Sequence, residues 1–246
     1  LGTEDGLFVF DGAHFHRLGI AEGLPSSWIF SLLADDRGVW VGTESGVRHV
    51  DRDHVEPLIQ VGGGSDARIN ALAAGPDHSI LAATDLGLFE IRAGLFAPVA
   101  GWTGGATDAV WVDADGSVLA GRGTDLVERA PTGKWTTTTL GPDRITQIAR
   151  TPDGALWVRS PRRLWTCTGA ADSIACRDIS NELADVGEVG RLLVDHRGSL
   201  WVPTRRGLEH RTADSGDHGM PSRRHLLTGS AATVFCAALG VAHRAW

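Results

Sequence analysis

Ile29-Phe-Ser-Leu-Leu-Ala-Asp-Asp-Arg-Gly38-Val-Trp40-Val-Gly-Thr43-Glu-Ser-Gly46-Val-Arg-His-Val-Asp51 is the stretch that decides the fold. It opens on an apolar, β-prone run. Asp36-Arg37-Gly38 is turn chemistry, in which glycine supplies a positive φ. Residues 39–43 form a second short strand, Glu44-Ser45-Gly46 a second turn, and residues 47–50 and 55–60 supply strands three and four.

The pattern returns along the chain. An aliphatic pair three apart opens each copy: Ile29/Leu32, Ile69/Leu72, Ile145/Ile148 and Val189/Leu192, with Thr107 in place of the first member beside Val110. A turn follows at Asp36–Gly38, Pro76–Ser79, Asp113–Gly116, Pro152–Gly154 and Asp195–Gly198. Then comes a large apolar residue (Trp40, Leu81, Leu119, Trp157, Trp201) and a small or hydroxylated one (Thr43, Thr84, Ser160, Thr204), with Arg122 the exception. Gly2-Thr3-Glu-Asp-Gly6 matches Gly42-Thr43-Glu-Ser-Gly46, so the chain enters the pattern inside a unit. Four short antiparallel strands every ~40 residues predict a β-propeller blade. A twisted sheet of this kind has two apolar faces, and stacking blades around an axis buries both. A helical solenoid would need long stretches of 3.6-residue periodicity, which are absent.

The expected organisation is all-β: a partial blade at 1–18, blades at about 28–60, 68–99, 106–139, 144–179 and 188–211, and a tail at 212–246 without the pattern. That is five full blades and a half. It reads as an incomplete seven-blade ring, or as six blades if the tail closes it. The tail reads either as the frameshifted or truncated end of a gene or, over Ala231 to Val241, as strands that complete the first blade.

Composition narrows the function. The chain has 246 residues, 42% hydrophobic and 22% charged, which excludes a disordered tail or a disulfide-dense mini-protein. Thirty-two glycines without a Gly-X-Y period imply frequent turns. A net charge of −7 argues against a nucleic-acid partner, which needs a basic footprint. No apolar run is long enough to span a membrane.

The units resemble the two-component regulator propeller repeat. Gly23-Leu24-Pro25-Ser26-Ser27 leads into a full match through Asp51, and Gly198 to Leu208 matches again. The 152–165 copy is good; those at 76–89 and 113–127 are degenerate. The resemblance implies a non-enzymatic, extracytoplasmic sensor. It would take an unknown extracellular small molecule or glycan, pair as a homodimer in the parent receptor, and meet the membrane only through other parts of that receptor. The usual ring in this family has seven blades, so the chain is read as part of a longer sensor. No cofactor is implied. A propeller enzyme of the streptogramin-lyase or lactonase type, which carries a similar turn-plus-Trp repeat, is the alternative. It would need Glu188, Asp108 or a histidine gathered at the channel mouth with a metal. A scaffold for protein partners is a third reading.

Candidate site residues lie on the loops that lead into strand one, at the ring face and channel lip: Ser27, Trp28, Arg68, Asn70, Asp108, Arg144 and Gln147. No catalytic set and no metal site is expected. Asp113-Ala-Asp115-Gly116 reads as a turn, because the rest of a calcium loop is missing. His14 and His16 share a strand face without a third ligand. Trp40, Trp157 and Trp201 read as packing residues. A hairpin centred on residues 169–173 would set Cys167 opposite Cys176, as a disulfide or as two buried thiols; the oxidising compartment implied by the resemblance favours the disulfide.

Overall fold

The computed structural model describes residues 1–211 apart from 53, 58, 61–65, 170–173, 184, 188–189 and 196. The chain is an all-β propeller of six antiparallel sheets set around an axis. Sheet one holds β1 (Gly2–Thr3), β2 (Gly6–Phe10) and β3 (Phe15–Leu18); sheet two holds β4 (Ile29–Ala34), β5 (Val39–Thr43), β6 (Gly46–Asp51) and β7 (His54–Glu56). After β8 (Ile59–Gln60), sheet three holds β9 (Ile69–Ala74), β10 (Ile80–Thr84), β11 (Gly87–Arg92) and β12 (Leu95–Pro98). Sheet four holds β13 (Ala109–Val112), β14 (Val118–Arg122), β15 (Asp125–Arg129) and β16 (Trp135–Thr139). Sheet five holds β17 (Gln147–Arg150), β18 (Leu156–Arg159), β19 (Leu164–Thr168) and β20 (Ala175–Asp178). Sheet six holds β21 (Leu193–Val194), β22 (Leu200–Thr204) and β23 (Gly207–Arg211).

Two details depart from the sequence reading. The first unit holds three strands, more than half a blade, and so does the sixth among the described residues. Residues 55–60 are not one strand: β7 ends at Glu56, and Ile59–Gln60 pairs in parallel with β12 of the next sheet. Pro57 lies between them, and a proline cannot donate to the ladder it interrupts. The tail at 212–246, and the ring closure suggested for it, lie outside the described residues.

The repeated residues have repeated jobs. Thr3, Thr43, Thr84 and Thr204 each donate their hydroxyl to the carbonyl of the glycine three residues on, at 2.8–2.9 Å. Each hydroxyl also accepts the backbone N–H two residues on, at 3.1–3.3 Å. The hydroxyl closes the turn between strands two and three. The turn's glycine (Gly6, Gly46, Gly87, Gly207) has φ between +121° and +140°, a region that L side chains rarely adopt.

The opposite turn is organised by a carboxylate or hydroxyl that takes the indole N–H of the strand-two tryptophan. Asp35 Oδ2 accepts from Trp40, Asp195 Oδ2 from Trp201, and Thr151 Oγ1 from Trp157, at 2.9–3.1 Å. These tryptophans are half-buried: the rings pack while the N–H reaches the turn. Asp113 joins blades as well. It accepts from Trp111 at 2.7 Å and from Arg150 of the next sheet at 2.7 Å through each carboxylate oxygen. The Asp113–Gly116 segment is therefore a turn with an inter-blade ion pair.

Between blades the core is apolar. One cluster joins Val47 and Ile69 to Ile80, Phe89 and Phe96; another joins Leu119 and Leu126 to Ile145, Leu156 and Trp165. Each such side chain contributes about 1.5–3 kcal/mol. The contact between blades five and six is more polar. Arg159, 2% exposed, donates to the carbonyls of Gly187 (2.7 Å) and Pro203 (3.0 Å), and burial pushes its guanidinium down to about 10.

Cys167 and Cys176 face each other across β19 and β20 and form a disulfide, with Cα atoms 4.0 Å apart. Replacing both by alanine is expected to cost about 2–3 kcal/mol. Thermal melts of the native protein with and without dithiothreitol should show the same loss. Superimposed melts would mean that the bridge carries no stability.

Candidate functional site

The inner strands β4, β9, β13, β17 and β21 pack in succession around the axis. Between them lies a cavity of about 170 Å³, lined among others by Ala71, Ala109, Val110, Trp111, Gln147 and Arg191. Of the seven expected site residues only Gln147 lines it, with Thr146 and Arg191 beside it.

Five of the seven expected site residues fall into three hydrogen-bonded or ion-paired groups here. Arg68 Nε donates to Asn70 Oδ1 at 2.9 Å, and Asn70 Nδ2 donates to the Thr107 carbonyl at 2.8 Å. Asp85 Oδ1 accepts the Arg68 backbone N–H at 2.9 Å. The Arg68 guanidinium also stands 5.8 Å from the centre of the Phe30 ring, within cation–π range. Asp108 and Arg144 form an ion pair at 3.6 Å. Gln147 Oε1 accepts the Leu192 backbone N–H at 2.7 Å, tying blade five to blade six. Ser27 and Trp28 make no hydrogen bond with the other five among the described residues. Trp28 is 46% exposed, and its carbonyl takes the Glu44 N–H that closes the neighbouring turn.

Sequence reasoning missed Arg191. From the lead into blade six, its Nη2 donates to the carbonyls of Phe30 (2.8 Å) and Asn70 (3.1 Å), which belong to blades two and three. One side chain thus crosses the axis. Solvent reaches it along the channel, yet protein atoms crowd around it and burial lowers its guanidinium from the usual value. The signal was in the repeat frame. Two residues after the first aliphatic position stand Ser31, Ala71, Ala109 and Gln147, and only the last unit puts a charge there. Phe30 was missed because an apolar residue at a strand start reads as core.

A second, more open cleft of about 600 Å³ lies at the blade five–six junction, with Arg162, Asn181, Asp185 and Arg205 on its walls. Glu188 lies outside the described residues. Among the described residues no three His, Cys, Asp or Glu side chains gather as a metal site; His16 instead pairs with Asp11 at 2.8 Å.

Residues 23–45 match the family model described as two component regulator propeller. This segment contains Trp40 and Thr43, whose hydrogen bonds recur in other blades. Its repeat is the two-component regulator propeller repeat. Solved structures share the propeller fold at low identity. The extracellular domain of what is described as a hybrid two-component system from B. thetaiotaomicron aligns with TM-score 0.70 at 14% identity, over 93% of this chain and 31% of that one. A second such domain from the same organism aligns with TM-score 0.65 at 16% identity, over 85% and 30%. Virginiamycin B lyase from Staphylococcus aureus aligns with TM-score 0.58 at 16% identity, over 77% and 68%. The chain thus spans under a third of the two extracellular domains. No curated protein sequence matches the chain.

Proposed function

We propose that the chain is the ligand-sensing part of an extracytoplasmic receptor and is not itself catalytic. The observation that carries this is the regulator-propeller repeat at 23–45, whose hydrogen-bonded frame recurs around the ring. The broad overlap with extracellular sensor domains supports it, and the Cys167–Cys176 disulfide suits an oxidising compartment. No helix among the described residues is long and apolar enough to cross a membrane.

The binding site in this reading is the channel mouth around Arg68, Asn70, Asp108, Arg144 and Gln147, with Ser27 and Trp28 beside it. A small extracellular molecule or glycan would bind there and favour one arrangement of a receptor homodimer over another; only such differential affinity can carry a signal. The membrane is reached through other parts of the receptor.

A thermal-shift screen of saccharides and small metabolites tests the reading. A ligand at one hundred times its Kd adds about 2.7 kcal/mol, or about 5 °C and more for a domain of this size. The shift should vanish in Asn70→Ala. Turnover of a bound compound, or a shift indifferent to every mouth substitution, would overturn it.

A further inference from the structure

We infer that the group seated at the channel mouth is an anion: a carboxylate, or a sulfate or phosphate ester, on a small molecule held by Arg191 with Arg68 at the rim. This rests on the sensor reading of the same site and adds the chemistry of its ligand.

The cavity is lined by Ala71, Ala109, Val110 and Trp111 together with Thr146, Gln147 and Arg191, and no carboxylate lines it. Arg191 brings a full positive charge into that setting. Among the described residues it has no ion-pair partner; its hydrogen bonds go to two neutral backbone carbonyls. Both bonds leave from Nη2, so the Nε–H and the two Nη1–H groups are not used by them. Arg68 is similar: its Nε is held by Asn70, its two terminal amines make no hydrogen bond among the described residues, and its flank faces the Phe30 ring. Phe30 and Asn70 contact both arginines: Arg68 meets the Phe30 ring and Asn70 Oδ1, and Arg191 meets the backbone carbonyls of the same two residues. The nearby carboxylates are engaged elsewhere: Asp108 pairs with Arg144, and Asp85 caps the Arg68 backbone. In a chain of net charge −7, two guanidinium groups without an ion pair among the described residues stand out. A charge crowded by protein atoms is stabilised by a counter-charge, and a guanidinium matches the oxygens of a carboxylate or phosphate. A cavity of about 170 Å³ is small for a whole drug-sized ligand, which suits an anionic end group entering the channel.

Four probes separate the alternatives by calorimetry and thermal shift: galactose, galacturonate, galactose 6-phosphate and inorganic phosphate. The two sugar acids differ from galactose only at C6, and comparing them tells a carboxylate from a phosphate ester. We expect at least one anion to bind tenfold or more tighter than galactose. Arg191→Gln should lose that preference, Arg191→Lys should keep part of it, and Arg68→Gln should weaken it less. If Arg191→Gln does not fold, Arg191→Lys and Arg68→Gln still decide the matter. Failure of all three anions to bind overturns the inference, as does anion binding that survives both Arg68→Gln and every folded Arg191 variant. Binding of galactose alone, lost in Asn70→Ala, also overturns it while leaving the sensor reading intact.

Discussion

Gly42→Val is expected to cost about 3 kcal/mol or more, and shortening Ile69 in the same chain should return part of that loss. The reason lies in how neighbouring blades meet. A Cβ at Gly42 would stand 2.6 Å from Ile69 Cγ2 and 2.2 Å from Ser31 Oγ. Ile69 is fully buried at the start of β9, so it cannot swing away. The same notch recurs: a Cβ at Gly2 would meet Ile29 Cγ2 at 2.7 Å, and one at Gly121 would meet Ile145 Cγ2 at 2.7 Å. In each case a strand-two glycine receives the first aliphatic residue of the following unit. Overpacking a close-packed core costs about 1–3 kcal/mol and sometimes more, and here several contacts tighten at once. Ile69→Ala alone opens a cavity and should cost about 2–5 kcal/mol. In Gly42→Val/Ile69→Ala the new side chain enters that cavity, so urea unfolding of the four proteins should show a double mutant milder than the sum. Strict additivity would mean that this pair does not set the blade spacing.

This notch shows what the sequence made legible and what it did not. The unit, its turns and its period could be read because each is local: alternation, Asp–Gly turns and Gly–Thr turns act within a few residues. The pairing of Gly42 with Ile69 joins residues of successive units, so only the repeat frame hints at it. Blade three supports the hint. Ala83 stands where blades one, two and four have glycine, and the next unit opens with the smaller Thr107, whose N–H bonds to the Thr84 carbonyl at 2.8 Å. The candidate site was legible to the extent that its residues sit just before an inner strand. Arg68, Asp108 and Arg144 do, Asn70 and Gln147 stand among the opening residues of β9 and β17, and all five are hydrogen-bonded or ion-paired. Arg191 has the same placement, but its partners are carbonyls of blades two and three. A side chain that bonds to backbone across an axis has no sequence signature at the far end. At the blade five–six junction Arg159 occupies the position of the glycine notch, so that contact is made by hydrogen bonds to carbonyls where the others use shape.

Asp35→Ala is expected to lower stability by about 3 kcal/mol at neutral pH, with a pH signature that separates it from simple loss of packing. Asp35 gathers four donors at one turn. Oδ1 accepts the backbone N–H groups of Arg37 (3.0 Å) and Gly38 (2.8 Å) and faces His49 Nε2 at 3.1 Å, while Oδ2 accepts the Trp40 indole N–H at 2.9 Å. His49 is 2% exposed and sits edge-on to the Trp40 ring, with Glu56 at 3.0 Å on its other nitrogen. Hydrogen bonds to an ionised group are each worth about 1.5–3 kcal/mol, and donors left without an acceptor add their own cost. Burial raises the Asp35 carboxyl, but the hydrogen bond from His49 and those from Arg37 and Gly38 outweigh it and hold the group below the ordinary carboxylate range. A carboxylate whose folded value is depressed stabilises the fold above its unfolded value and loses that contribution as pH falls through the folded value. The stability of the native protein should therefore fall below about pH 4, the unfolded value of an aspartate, and the gap to the variant should narrow there. Asp35→Asn makes the test sharper. Its amide keeps one acceptor for the turn and His49 but turns a donor toward the Trp40 indole N–H, so it should lie between the native protein and Asp35→Ala at pH 7. Urea midpoints at pH 7, 5 and 3 read all of this. A gap as wide at pH 3 as at pH 7 would show that the ionised carboxylate is not what holds this corner of the blade.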